Sequence, residues 1–164
     1  MRKVVVNSTP LIALCHVGHL DILKAMYECV YIPEAVYGEI SEKPESICKI
    51  SIDNAIQQGW ISIRNIHNKL AKSVFKTQLH DGEVEVMILA KEMDADLIIL
   101  DDQNARKYAK HLGLTITGTL GVLIKAKQLG HIPLLNPILT QLLEHHIYIS
   151  EELILSCLAQ AGEV

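Results

Sequence analysis

The sequence has 164 residues and a mass of 18.3 kDa, and its hydrophobic share of 49% excludes an intrinsically disordered chain. Its formal net charge of −4, from 15 basic and 19 acidic residues, excludes nucleic-acid binding through an overall positive charge. Aromatic residues make up 4% of the chain, which argues against a broad base-stacking surface. This length predicts a single domain over residues 1–164.

Strands and helices are predicted to alternate through the first half of the chain. Residues 4–6 form a β-branched apolar run that is typical of a buried strand. Ser8 or Thr9 is expected to cap the next helix, with Pro10 at its first position. The pattern then predicts helices over 21–27, 34–40 and 45–58 and strands over 30–32 and 60–63, whereas the polar residues 65–80 are ambiguous.

The second half continues the alternation. Residues 97–100 are a continuous apolar run that is typical of a parallel strand buried on both faces. A further strand is predicted over 114–116, with helices over 81–93, 104–112, 118–129, 133–144 and 151–161. We therefore expect a three-layer α/β/α sandwich with a central twisted parallel sheet, on which the C-terminal helices of 133–164 pack.

The cysteines and the apolar runs predict where the protein is found. None of the four cysteines belongs to a C-x-x-C pair, so we expect reduced thiols and a cytoplasmic protein. No apolar run approaches the length of about 18 residues that a membrane-spanning helix needs, so we expect no membrane contact. The cysteines are Cys15, Cys29, Cys48 and Cys157.

Oxygen-bearing side chains are predicted to meet at one edge of this sheet. Asn7 follows the first strand, and Asp101 and Asp102 follow the strand over 97–100. Glu83 opens one helix, and Glu39 lies late in another. Ligands of open parallel sheets bind beyond the carboxyl ends of the strands. Such oxygens suit Mg²⁺ or Mn²⁺, which can activate water for phosphodiester hydrolysis.

Each acid also has a purely structural interpretation. Asp101 and Asp102 can be a loop acid and a helix N-cap. Glu83 can stabilise the positive end of its helix, and Glu39 can be a solvated helix residue. Glu85 lies two residues beyond Glu83 and therefore on another side of the helix, so we expect it at the surface.

Basic side chains and one hydroxyl are candidates for RNA contacts. Arg106 lies one helical turn beyond Asp102 and can bind a site carboxylate, a phosphate or only solvent. Thr119 opens the helix over 118–129 and can approach the same edge of the sheet. Lys69, Lys72 and Lys76 form either a stripe along which RNA lies or an ordinary solvated helix face.

The chain resembles the PIN-domain superfamily of metal-dependent ribonucleases, and more closely a prokaryotic subfamily related to VapC-type toxins. No matching segment is decisive alone, but together they cover nearly the whole chain in order. The segments are VVVNSTPLIAL (4–14), YIPEAVYGEI (31–40), DGEVEVMILA (81–90), ADLIILDDQNAR (95–106), GLTITGTLGVLIKAKQLGHIP (113–133) and ISEELILSCLAQAGE (149–163).

The resemblance implies a metal-dependent endoribonuclease that uses Mg²⁺ or Mn²⁺. It implies that RNA is the substrate, that the protein is the toxin of a toxin–antitoxin pair and a homodimer, and that a small antitoxin is its partner. Ser8 or Thr9 corresponds to the hydroxyl residue beside the first acid. The implied catalytic set is Asn7, Glu39, Glu83, Asp101 and Asp102, of which the four acids bind metal, with Glu85 an alternative to Glu83. Together with Arg106 and Thr119, Ser8 is a predicted RNA contact.

Asn7 departs from the family pattern, because it stands where the first aspartate is normally found. Its amide oxygen can bind a metal ion, but it supplies no negative charge. This substitution motivates an alternative function, in which the chain is a catalytically impaired PIN-like module that binds RNA or a protein.

Overall fold

A five-stranded, all-parallel sheet lies at the centre of the computed structural model, which describes residues 2–75 and 79–164. The strand order is β3-β2-β1-β4-β5, so the chain starts in the middle and fills first one side of the sheet and then the other. The strands are β1 (Val4–Val6), β2 (Val30–Pro33), β3 (Ile61–Arg64), β4 (Leu97–Ile99) and β5 (Ile116–Thr117).

The sequence of the two central strands explains their position. Every residue of β1 and β4 is buried, because helices cover both faces of the sheet there. Val4 pairs with Leu97 and Val6 with Ile99, so both strands end at the same edge. Asn7, directly after β1, donates its backbone N–H to the carbonyl of Ile99 at 3.0 Å. The polar residues that follow β1 and β4 are thereby brought side by side.

Helices flank the sheet on both sides, which gives the predicted three-layer α/β/α sandwich. The hydrophobic core is one cluster that runs from Val4 to Ala161 and includes residues of the C-terminal helices. The helices are α1 (Ser8–His16), α2 (Ile22–Tyr27), α3 (Glu34–Ile40), α4 (Ile47–Gln58), α5 (Lys69–Phe75), α6 (Asp81–Met93), α7 (Gln103–His111), α8 (Thr119–Gln128), α9 (Asn136–Glu144) and α10 (Glu151–Gln160).

Two local predictions are wrong. Asn7, rather than Ser8 or Thr9, is the N-cap residue of α1. The strand predicted over 114–116 is β5 at Ile116–Thr117, because residues 113 and 114 form the turn that caps the C-terminus of α7. Gly113 takes a positive φ of 76°, and the Leu114 N–H donates to the Ala109 carbonyl.

The ambiguous region contains a short helix, α5, and the Asn68 side chain accepts the N–H of Ala71 in its first turn. Lys69 and Lys72 lie on this helix, whereas Lys76 lies outside the described residues. Within residues 2–75 and 79–164, no helix is long and apolar enough to cross a membrane. All four cysteines are free thiols.

Candidate functional site

An acidic cavity of about 880 Å³ opens beyond the carboxyl ends of β1 and β4. Five of the residues that line it are Asp or Glu, and none of the described lining residues is Lys or Arg. Carboxylates that line one cavity repel each other and attract cations. The lining residues are Asn7, Ser8, Thr9, Ile12, Glu39, Glu42, Leu79, His80, Asp81, Glu83 and Asp102.

Asn7 lies at the junction of β1 and α1, and its side chain is only 4% exposed. Its side chain does not cap α1, and its amide oxygen Oδ1 has no hydrogen-bond partner among the described residues. Leaving a buried acceptor without a donor costs about 1–3 kcal/mol. An oxygen in this condition marks a place where a ligand can bind.

Glu83 lies in the first turn of α6 and is 5% exposed. One carboxylate oxygen, Oε1, accepts the backbone N–H of His80 at 3.3 Å in a capping box. The other oxygen, Oε2, is buried without a partner in the described part of the chain. Burial, and then the negative charges of Asp102 and Glu39, raise the pKa of this carboxyl above its usual value.

Glu39 projects from α3 between α1 and α6. Its Oε2 accepts the hydroxyl of Ser8 at 2.5 Å, and its Oε1 accepts the backbone N–H of Gly82 at 3.1 Å. A Cβ atom on Gly82 would lie only 2.2 Å from Oε1, so the carboxylate occupies the space that a side chain would fill. Glycine at this position therefore allows α3 to present its carboxylate against the start of α6.

Asp102 is the N-cap residue of α7, where its Oδ1 accepts the N–H of Ala105 at 2.8 Å. Asp102 is an exposed residue that lines the acidic cavity, and the hydrogen bond of the cap holds its carboxylate in place there. The structural interpretation of Asp102 as an N-cap and the functional one are thus compatible. Oδ1 of Asp102 caps α7, and the negative charge of the carboxylate remains at the acidic cavity.

Asp101 points away from the acidic cavity, although it is the neighbour of Asp102. Its Oδ1 accepts the backbone N–H of Thr119 at 2.8 Å, and its Oδ2 accepts the Thr119 hydroxyl at 2.6 Å. Both oxygens therefore join the end of β4 to the start of α8. Arg106 lies on this side, and its Nη1 is 3.5 Å from the position that a Cβ on Gly118 would take.

Glu85 does not line the acidic cavity. It forms an ion pair with Lys72 of α5 at 2.6 Å and accepts the backbone N–H of Ala35 at 3.0 Å. The expectation that Glu85 lies at the surface is wrong, because α5 covers it and leaves it only 7% exposed. Lys72 is likewise held by this ion pair rather than presented to solvent along its helix.

The residues of the acidic cavity fit a divalent cation. Asn7, Glu39, Glu83 and Asp102 offer only oxygen atoms, which hard cations prefer over nitrogen and sulfur ligands. Two of these oxygens, Asn7 Oδ1 and Glu83 Oε2, are buried and lack a donor. Across residues 2–75 and 79–164, no group of three or more His, Cys, Asp or Glu side chains already stands together as a metal-binding set.

Sequence reasoning missed three other polar residues that line the cavity. Glu42 follows α3, while His80 and Asp81 lie at the start of α6. Asp81 and Glu83 carry a recognisable signal, because two acids in the first turn of a helix are typical of its N-terminus. His80 has no such signal, since histidine is an unusual N-cap residue.

No curated protein matches this chain. A family model for a PIN domain matches residues 3–163, which is nearly the whole sequence and includes every residue of the acidic cavity. PIN domains have a nuclease fold and are commonly metal-dependent ribonucleases. The parallel sheet and the acidic cavity at its carboxyl edge agree with this match, and the chain belongs to the PIN-domain family.

Proposed function

We propose that this protein is an endoribonuclease that hydrolyses RNA phosphodiester bonds with Mg²⁺ or Mn²⁺. The observation that carries the proposal is the pair of buried oxygens, Asn7 Oδ1 and Glu83 Oε2, that lack a hydrogen-bond donor inside an acidic cavity. A cavity of this charge repels an RNA phosphate unless cations are bound there. A bound metal ion would therefore explain why these two oxygens lack a hydrogen-bond donor, and how an anionic substrate can enter an acidic cavity.

The metal ligands that we propose are Asn7, Glu39, Glu83 and Asp102. A bound divalent cation supplies a nucleophilic water at neutral pH and stabilises charge on the phosphate. The hydroxyl of Ser8 and the N–H of Gly82 hold the Glu39 carboxylate in place. The α7 cap does the same for Asp102.

Arg106 is the side chain that we propose for binding the RNA phosphate. Ser8 and Thr119, the other two candidates, donate their hydroxyls to Glu39 and Asp101. The Arg106 guanidinium forms no ion pair or hydrogen bond with the rest of the described chain, and it is half-buried on the side of Asp101, next to the acidic cavity's edge at Asp102. Asp101 then positions α8 rather than binding metal.

Cleavage of single-stranded RNA in Mn²⁺ tests this function. We expect Glu83→Gln to reduce cleavage by at least about a hundred-fold, because it removes the charge of a proposed ligand while keeping its shape. Glu85→Gln is the matched control, since Glu85 lies on the same helix but binds Lys72 outside the cavity. Equal cleavage by wild type and Glu83→Gln would contradict the proposal.

We further propose that the nuclease is the toxin of a toxin–antitoxin pair, with a small antitoxin as partner. This rests on the resemblance of its motifs to VapC-type toxins.

A homodimer is supported by exposed apolar side chains on the C-terminal helices, such as Leu143 and Leu155. Four free thiols support a cytoplasmic location. Co-purification with the product of an adjacent small gene and the molar mass in solution test the two partner proposals.

A catalytically impaired PIN-like module that binds RNA or a protein is the second candidate, and Asn7 is the observation that favours it. We expect Asn7→Asp to distinguish the two functions, because it adds the missing negative charge to the cavity that Glu83 also lines. If only Asn7→Asp cleaves RNA in Mn²⁺, the natural chain is the impaired module. If the wild type cleaves and Asn7→Asp changes only the Mn²⁺ affinity, it is the nuclease.

A further inference from the structure

An apolar groove of about 480 Å³ lies beside the acidic cavity, between α7, α8 and the segment that joins α9 to α10. Its volume falls within the range of sites that hold small molecules, about 300–1,000 Å³. Most of its wall is apolar, and Arg106 is the only Lys or Arg among its described lining residues. The side chains that form its wall include Ala13, Leu120, Leu142, Ile147, Tyr148 and Ile149.

The groove adjoins the acidic cavity. Thr9 lines both, and the adjacent residues Asp101 and Asp102 line one each. The charge of Asp101 is directed into hydrogen bonds with Thr119, so it opposes an anion in the groove less than a free carboxylate would. A chain that extends from a phosphate in the acidic cavity can therefore continue past Arg106 into the groove.

Tyr148 stands at the rim of this groove with 88% of its surface exposed. The two residues that flank Tyr148 fix its position. Ile147 is half-buried and donates its N–H to the Leu142 carbonyl at 3.0 Å, and Ile149 is buried in the core. Because the residues on either side of Tyr148 are the ones that pack inward, the aromatic ring projects into solvent. An exposed ring that no packing within the described chain requires is available for a ligand.

We propose that this groove binds the nucleotide next to the scissile phosphate, with its base stacked on Tyr148 and its phosphate at Arg106. The proposal rests on the proposed ribonuclease function and adds a subsite to it. A nucleic-acid chain fits better than an apolar peptide for two reasons. The groove combines one aromatic ring with a guanidinium that has no partner among the described residues, and it adjoins the acidic cavity at Thr9.

The test compares Tyr148→Ala with Tyr148→Phe on a short single-stranded RNA whose cleavage position has been mapped with the wild type. Two further RNAs carry an abasic ribose immediately 5′ or 3′ of that position. The dissociation constants are measured by fluorescence anisotropy in Ca²⁺ with Glu83 left intact, because Ca²⁺ binds the same oxygen ligands but activates water poorly, so that the RNA is bound and not cut. Leu134→Ala is the control, because Leu134 is 53% exposed but lines neither cavity.

We expect Tyr148→Ala to weaken binding of the intact RNA by about five-fold or more, which is the size of one base–aromatic stack. Tyr148→Phe keeps the ring and stays within about two-fold of wild type. One of the two abasic RNAs loses its sensitivity to Tyr148→Ala, because the stacked base is already missing.

Equal affinity of Tyr148→Ala and wild type for the intact RNA overturns the subsite, while cleavage by the wild type leaves the ribonuclease function intact. An equal loss on the intact RNA and on both abasic RNAs also overturns it, since stacking on a base is then not involved. A change in molar mass with unchanged RNA affinity assigns the groove to a second copy of the chain instead. Failure of the wild type to cut any RNA in Mn²⁺ removes the function and the subsite together.

Discussion

Glu83 combines two properties that usually exclude each other, burial and negative charge. Its pKa is raised because burial and the carboxylates of Asp102 and Glu39 all disfavour ionisation. A carboxyl whose pKa is higher in the folded state than in the unfolded state costs stability once the pH rises above both values. The metal-free protein is therefore destabilised at neutral pH by the side chain that we propose as a ligand.

We expect Glu83→Gln to stabilise the metal-free protein at pH 7 by about 1 kcal/mol, or about 2–4 °C in Tm, while it abolishes the gain in Tm that Mn²⁺ gives the wild type. The Tm advantage should vanish as the pH falls below about 4, where Glu83 becomes protonated in both the folded and the unfolded chain. Thermal unfolding in EDTA and in Mn²⁺ across this pH range measures both effects.

Glu85→Gln gives the opposite sign and serves as the comparison. It breaks the ion pair with Lys72, so its Tm should fall at pH 7 while Mn²⁺ still stabilises it. A Glu83→Gln variant that is less stable than the wild type in EDTA at pH 7 would show that its carboxylate is not held at a cost.

Asp101 and Asp102 are adjacent but act differently in the structure. Asp102→Asn should lower Mn²⁺ affinity by about ten-fold or more without loss of stability, because asparagine is as good an N-cap residue as aspartate. Asp101→Asn should leave Mn²⁺ affinity nearly unchanged and reduce the free energy of unfolding by about 1–2 kcal/mol, since it weakens the bonds to Thr119. Calorimetric Mn²⁺ titration and urea unfolding separate the two, and the reverse pattern would reassign the metal to Asp101.

At the scale of elements, the acidic cavity depends on how closely α3 approaches α6. The Glu39 carboxylate lies against the backbone of Gly82, where no Cβ fits. The N-terminus of α6 favours a negative charge at this point, because its first N–H groups have no partners within the helix. The contact between Glu39 and Gly82 therefore determines both how α3 packs on α6 and where the proposed ligand Glu39 lies.

Gly82→Ala should move the Glu39 carboxylate or separate the two helices. We expect a loss of about 1–3 kcal/mol in stability and weaker Mn²⁺ binding, with RNA cleavage reduced in parallel. Gly38→Ala is the matched control, because Gly38 lies on α3 with nothing within 4 Å of its Cβ position. That change should raise stability by about 0.5–1 kcal/mol and leave the site unaffected. Unchanged Mn²⁺ affinity in Gly82→Ala would show that the close approach does not position the ligand.

At the scale of the whole molecule, the alternation of strands and helices predicted the parallel sheet, and the apolar runs of β1 and β4 indicated that these two strands are covered on both faces. The same logic places Asn7 and Asp102 at one edge. The polar residues around α5 carry no comparable pattern, so the burial of Glu85 beneath that helix was not predictable. Tyr148 was missed because one exposed ring in a connecting segment has no periodicity.

Glu163, which follows α10, joins this segment to the start of α9 and to α8. Its carboxylate accepts the backbone N–H groups of Leu135 and Asn136 at 2.5 and 3.1 Å, and it pairs with Lys127 of α8 at 3.1 Å. These bonds satisfy the start of α9 and lower the pKa of Glu163 below its usual value. A group with a lowered folded-state pKa adds stability above its unfolded-state pKa, and this stability is lost as the pH falls through the folded value.

We expect Glu163→Gln to lower the Tm at pH 7, and the difference from wild type to narrow steadily as the pH falls below about 4. Glu45→Gln is the control, because Glu45 is exposed in the turn before α4. Neither change should alter Mn²⁺ affinity, since Glu163 lies outside the lining of the acidic cavity. Thermal unfolding from pH 7 to pH 3 tests this, and a Tm difference that stays constant with pH would mean that the Glu163 bonds stabilise the fold without their charge.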